Sequence, residues 1–67
     1  MEKDKKALIA KLKAEKFEID KRYLAIADAI KNPEIALSQE KLMNEQKEIL
    51  NNYSIVLFRR IDDLKKN

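Results

Sequence analysis

Apolar side chains at Leu8, Leu12, Ile19, Ile26 and Ile30 recur four or seven residues apart, the spacing that lines up one face of an α-helix. The pattern predicts a first helix from about residue 4 to residue 30. A second stripe, Leu42/Met43, Leu50, Tyr53, Leu57, Ile61 and Leu64, predicts another helix that runs to about residue 65. Between them stands the only proline, in Lys31-Asn32-Pro33-Glu34. This reads as a helix stop, then Asn32 as N-cap, Pro33 at the first helical position and an acid near the positive end of the next dipole. Ser38-Gln39-Glu40 offers a second N-cap, so helix two starts at residue 33 or 38, with residues 33–37 as its first turn or as a separate turn.

Two helices of this length each span about 40–45 Å, and a short connection folds them into an antiparallel hairpin. The fold class is therefore all-α, a two-helix hairpin forming a single domain over residues 1–67. Ile9, Phe17, Leu24, Ile49 and Val56 widen the apolar surface beyond one seam. A hairpin alone leaves that surface uncovered, and a lone core in a chain this short supplies only about 3–5 kcal/mol. Homo-oligomerisation into a helical bundle is the expected closure, a four-helix dimer or a higher assembly.

Extending the heptad from Leu12, Ile19 and Ile26 puts Glu15 and Arg22 at the other core position. The same step from Met43, Leu50, Leu57 and Leu64 puts Gln46, Tyr53 and Arg60 there. Folding back about the turn places Arg22 near Gln46, and Glu15 near Tyr53 or Leu57. As structural elements these groups pair within the seam to fix register. As functional elements, Arg22, Tyr53, Arg59 and Arg60 surround a pocket for an anionic ligand once copies assemble. A guanidinium fork donates two parallel hydrogen bonds to a phosphate, and a tyrosine face stacks on a base.

Composition narrows the chemistry. The chain has no Gly, Cys, His, Trp or Thr. Thiolate and imidazole ligands, a thiol nucleophile, an imidazole base, disulfides and glycine-rich phosphate loops are all excluded. A carboxylate-only metal site in a helical bundle needs several inward Glu, and the heptad places only Glu15 there. No cofactor is implied, and the expectation is a protein that binds rather than catalyses. No apolar run reaches the roughly 18 residues of a membrane span and no signal-peptide core is present, so a cytoplasmic location is expected.

Fifteen basic and twelve acidic residues give a net charge of +3. Residues 1–16 and 57–67 carry ten basic and five acidic groups, whereas residues 17–56 carry five and seven. A hairpin gathers the positive excess at its open end. There Lys3, Lys5, Lys6, Lys13, Lys16, Arg59, Arg60, Lys65 and Lys66 could contact nucleic-acid phosphates, although interspersed acids make a solvated mixed-charge surface the plainer account.

The run Glu15-x3-Ile19-x2-Arg22 with Ile26 and Ile30, followed by Gln46-x3-Leu50-x2-Tyr53-x3-Leu57-x2-Arg60-Ile61, resembles small phage-encoded helical-hairpin proteins. Their pattern is E-x3-L-x2-K and then Q-x3-M-x2-Y-x3-L-x2-R-I. The resemblance implies a viral origin, hence a host-cytoplasmic setting, and a hairpin fold. In size, class and basic-plus-Tyr composition the chain is also similar to anti-CBASS sponges, oligomers that sequester cyclic-nucleotide signals. That likeness implies a counter-defence or host-modulating protein that captures a cyclic or linear nucleotide or a host protein. A Rop-like nucleic-acid-binding hairpin shares the architecture, and a purely structural oligomerisation module remains a further alternative. Ser38-Gln39-Glu40 resembles the start of the active helix in sporulation-type aspartyl-phosphate phosphatases, but Leu42 stands where their acid is expected, and that family is set aside.

Overall fold

The computed structural model describes residues 2–66 and contains two helices, α1 (Glu2–Ala29) and α2 (Leu37–Lys66). They form an antiparallel hairpin 52 Å long: Glu15 meets Tyr53 near mid-length, and Tyr23 meets Lys47 nearer the turn. Glu2 and Asp4 lie in the first turn of α1, and Lys65 and Lys66 in the last turn of α2. Each pair has the sign that complements the dipole end it occupies.

α1 ends by tightening. Ile30 still donates its N–H to Ile26, but Lys31 and Asn32 donate to Asp28 and Ala29 at 3.1 Å, three residues back. Among the described residues no backbone angle is left-handed, consistent with a chain that lacks glycine. The reversal is made by Asn32-Pro33-Glu34-Ile35. The Ile35 N–H donates to the Asn32 carbonyl at 3.2 Å, and the Glu34 N–H donates to the Asn32 side-chain oxygen at 3.0 Å. Proline in the second position of a β-turn has its preferred dihedral there, and the Asn side chain closes an Asx-turn over it.

The two expected helix starts are corrected accordingly. Pro33 belongs to the turn rather than to the first position of α2, so Asn32 caps a turn and not a helix. Ser38 lies inside α2, whose first helical bond runs from the Glu40 N–H to the carbonyl of Ala36. The segment ahead of α2 is thus a separate turn. α1 begins at Glu2 and α2 reaches Lys66, slightly beyond the expected ends.

Buried and half-buried positions step through Ile9, Leu12, Lys16, Ile19, Tyr23 and Ile26 on α1 and on to Ile30 just beyond its end. On α2 they step through Glu40, Met43, Lys47, Leu50, Ser54, Leu57, Ile61 and Leu64. These are alternating three- and four-residue steps, the antiparallel coiled-coil seam. Its centre of burial lies toward the open end: Leu12, Ile19, Leu57 and Ile61 are buried, with Ile9, Leu50 and Leu64 packed against them. Leu57 is the most enclosed, at 1% exposure.

One of the two expected core rows is therefore rotated by a residue. Leu12, Ile19, Ile26, Met43, Leu50, Leu57 and Leu64 lie in the seam as expected. The partner row is Lys16, Tyr23, Lys47 and Ser54, not Glu15, Arg22, Gln46, Tyr53 and Arg60. Ile9 belongs to the seam, whereas Leu8 and Tyr53 are exposed. Ile9, Ile30 and Ile61 explain the phase. Each fits a row that continues four residues beyond Leu12, Ile26 or Leu57, or three before it, and enclosing these three isoleucines fixes the rotation of both helices.

Candidate functional site

Each flank of the seam carries a polar cluster. On one flank the Ser54 hydroxyl donates to Asp20 Oδ1 at 2.5 Å, and Lys16 Nζ donates to Asp20 Oδ2 at 2.8 Å. Lys16 and Asp20 are one turn apart on α1, while Ser54 reaches across from α2 and is itself buried. The ammonium and the hydroxyl both stabilise the charged carboxylate, so Asp20 is held below the ordinary carboxyl value, with Lys16 the larger influence. Every group in this triad has a partner. Asn51, Ile55 and Phe58 line a shallow concavity beside it.

On the opposite flank the Tyr53 hydroxyl donates to Glu15 Oε2. Accepting that bond stabilises the protonated phenol, which raises the Tyr53 pKa, and the nearby Glu15 charge acts in the same direction. The positive fields of Arg60 and Arg22 oppose the shift. Both guanidinium groups are thus within electrostatic reach of one phenolic oxygen. Tyr53, Arg60, Arg22 and Gln46 are exposed and Glu15 is half-buried. Glu15 and Arg22 are seven residues apart, as are Gln46 and Tyr53, and Tyr53 and Arg60, so each set forms a row along its helix.

The structure thus gathers three of the four candidate residues, Arg22, Tyr53 and Arg60, along one flank, with Glu15 among them. Arg59 lies farther round α2. It lines an open groove near the C-terminus with Val56, Arg60, Asp62, Asp63 and Lys66. The two acids there weaken the groove as an anion trap, and Lys66 is already paired with Asp62 at 3.0 Å. Lys16–Asp20, Lys21–Glu18 and Lys66–Asp62 form ion pairs, and among the described residues none involves Arg22, Arg59 or Arg60.

Of the basic residues expected at the open end, Lys5, Lys6 and Lys65 converge on a small groove with Glu2, Ile9 and Leu64. Two other seam residues form a cross-helix contact that sequence reasoning missed. Lys47 Nζ lies 5.3 Å from the Tyr23 ring centroid, a cation–π pair whose lysine is half-buried. Nor did the sequence reading find the Lys16–Asp20–Ser54 triad. Its one available signal was the Lys-x3-Asp spacing, which is too common on helix surfaces to single out.

Among the described residues no group of His, Cys, Asp and Glu could hold a metal ion, and no helix is long and apolar enough to cross a membrane. Comparison with family models, curated proteins and solved structures finds no match to the chain.

Proposed function

We propose that this chain is a non-enzymatic binding protein that captures a phosphate-bearing small molecule of the nucleotide class on the Arg22–Tyr53–Arg60 flank of a self-associated hairpin. The observation that carries the reading is the placement of two guanidinium groups, neither in an ion pair among the described residues, around one exposed tyrosine. Arginine forks suit phosphate oxygens and the phenol ring offers a stacking face, so the flank supplies both halves of nucleotide recognition. The resemblance to phage-encoded hairpins and anti-CBASS sponges supports assigning the capture to counter-defence or host modulation in a host cytoplasm.

Thermal-shift and calorimetric titration with cyclic and linear nucleotides tests this. A ligand that binds only the folded state stabilises it by about 2.7 kcal/mol at a hundred times its dissociation constant. Arg22→Ala and Arg60→Ala should each remove most of that gain. A flat response across the nucleotide panel overturns the reading.

A nucleic-acid reading rests on Lys5, Lys6 and Lys65 around the open-end groove. It predicts binding that falls steeply with salt and is weakened by Lys6→Ala regardless of sequence.

A further inference from the structure

We infer that two copies of this hairpin pair antiparallel, the open end of one beside the closed end of the other, through the face that carries Phe17, Leu24, Ile55 and Phe58. The inference concerns assembly and stands apart from the choice of ligand.

The hairpin has two broad faces. On the Tyr53 side, exposed Leu42, Ile49 and Val56 all belong to α2, while α1 contributes only Leu8, at 38% and near its N-terminal end, beside Glu15, Glu18 and Arg22. On the Asp20 side both helices supply large exposed apolar groups: Phe17 at 63% and Leu24 at 66% from α1, Ile55 at 47% and Phe58 at 59% from α2. An apolar face spread over two helices is what a second hairpin covers in a four-helix arrangement. Two helices of about 10 Å diameter over a length of 52 Å present on the order of 1,000 Å², above the about 800 Å² per partner of a stable interface.

The polar groups on this face are ready for burial. At mid-length Asp20, Lys16 and Ser54 already satisfy one another, so covering these three strands no isolated charge, while Lys6, Lys13, Glu48 and Asp62 lie farther toward the ends of the same rows. Lys21 lies over the Phe17 ring at 5.5 Å and can follow the ring's edge while keeping its ammonium in water.

Orientation follows from position and charge. The middle of α1 falls between Glu15 and Lys16 and that of α2 between Asn51 and Asn52, so Phe17, Asn51 and Ile55 lie within one turn of mid-length. A two-fold axis through mid-length and across the long axis runs the two hairpins antiparallel and sets Phe17, Asn51 and Ile55 directly on their own copies. It also lays the open end, net +5 over residues 1–16 and 57–67, beside the closed end, net −2 over residues 17–56. Head-to-head pairing would instead set two positive ends together.

The chain has no cysteine, so an introduced one reports on a single position. Sedimentation of the full chain at micromolar concentration should give twice 7.9 kDa. Under mild oxidation, Asn51→Cys should form the homodimeric disulfide readily. Lys6→Cys at the open end and Ile49→Cys on the opposite face should remain reduced. Ile55→Glu should shift the mass toward the monomer, and Val56→Glu should leave the dimer intact. A monomer in solution, or cross-linking that favours residue 6 or residue 49 over residue 51, overturns the inference. Arg22→Ala, which bears on ligand capture, should leave mass and cross-linking unchanged, so loss of capture and loss of this pairing are told apart; a monomer that still binds nucleotide would overturn the pairing and leave the capture site standing.

Discussion

Ser54 on α2 donates its hydroxyl proton to Asp20 on α1 across 2.5 Å, from a seam position that an aliphatic residue would otherwise fill. Serine is too small to pack against the opposing helix as Leu57 does, and at 8% exposure its hydroxyl must find a partner. Asp20 supplies one only when the two helices are in this register. The bond therefore ties axial alignment to a specific pair, the role buried polar groups play best in coiled coils.

Removing that tie should cost more than its area implies. Ser54→Ala is expected to lower stability by about 1–2 kcal/mol, because the acceptor is a carboxylate. At about 4–8 °C per kcal/mol for a chain of this size, the loss is easily read in a thermal melt. Ser54→Thr, which keeps the hydroxyl, should retain most of it.

The same carboxylate makes stability depend on acid. Its pKa in the folded chain lies below the ordinary value of 3.8, so the folded state binds the proton less readily than the unfolded chain. The stabilisation is complete above that ordinary value and is lost as pH falls through the lower folded value. Melts between neutral pH and strong acid should show wild-type stability falling in this window. Asp20→Asn should start lower and fall less.

Tyr53 gives an optical readout with the opposite sense. Its phenol, held protonated by Glu15, ionises above the ordinary value of 10.0. Any stability from this bond is present below that value and lost as pH rises through the folded pKa. Phenolate absorbance should show Tyr53 titrating late in the wild type, and Glu15→Gln should bring it earlier.

At the proposed capture site the Glu15 carboxylate would compete with an incoming anion for the same guanidinium groups. Glu15→Gln should tighten phosphate-ester binding on the Arg22–Tyr53–Arg60 flank, while loss of either arginine should weaken it about tenfold or more. Calorimetric titration of the three variants with one nucleotide checks the order.

Leu57→Ala removes the most enclosed side chain of a core with four buried apolar groups. Such truncations cost about 2–5 kcal/mol, comparable to the roughly 3–5 kcal/mol that a lone core of this size supplies. The variant should be largely unfolded by circular dichroism at low concentration and regain helix as concentration rises, if self-association supplies the remainder.

The fold was legible in the sequence because Leu12, Ile19 and Ile26 and their counterparts on α2 mark one core row with large aliphatic groups, and Asn32-Pro33 marks the break. The second row was harder. Its middle is Lys16, Tyr23, Lys47 and Ser54, residues that carry no hydrophobic signal of their own, so a three-residue step to Glu15 and Tyr53 looked as good as a four-residue step to Lys16 and Ser54. Only Ile9, Ile30 and Ile61 at the ends distinguish the phases. The Glu15–Tyr53 proximity survived the error because neighbouring residues on an antiparallel pair stay neighbours when both helices rotate toward the same flank. The start of α2 was obscured for a different reason. The side chains with capping chemistry, Asn32 and Ser38, stand on either side of the true boundary at Ala36, which caps with its carbonyl alone.

The Asn32-Pro33 turn has a consequence for how the chain could otherwise assemble. Heptads on both helices would let a long amphipathic sequence continue as one uninterrupted rod, exchanging its second half with a neighbour instead of folding onto itself. Pro33 blocks that by withholding an amide proton and crowding the preceding turn, at about 3 kcal/mol for an interior helical position. Asn32 adds a stable alternative by bonding the Glu34 amide. The turn therefore acts as a safeguard against strand-exchanged filaments: it commits each chain to its own hairpin before any second copy is met.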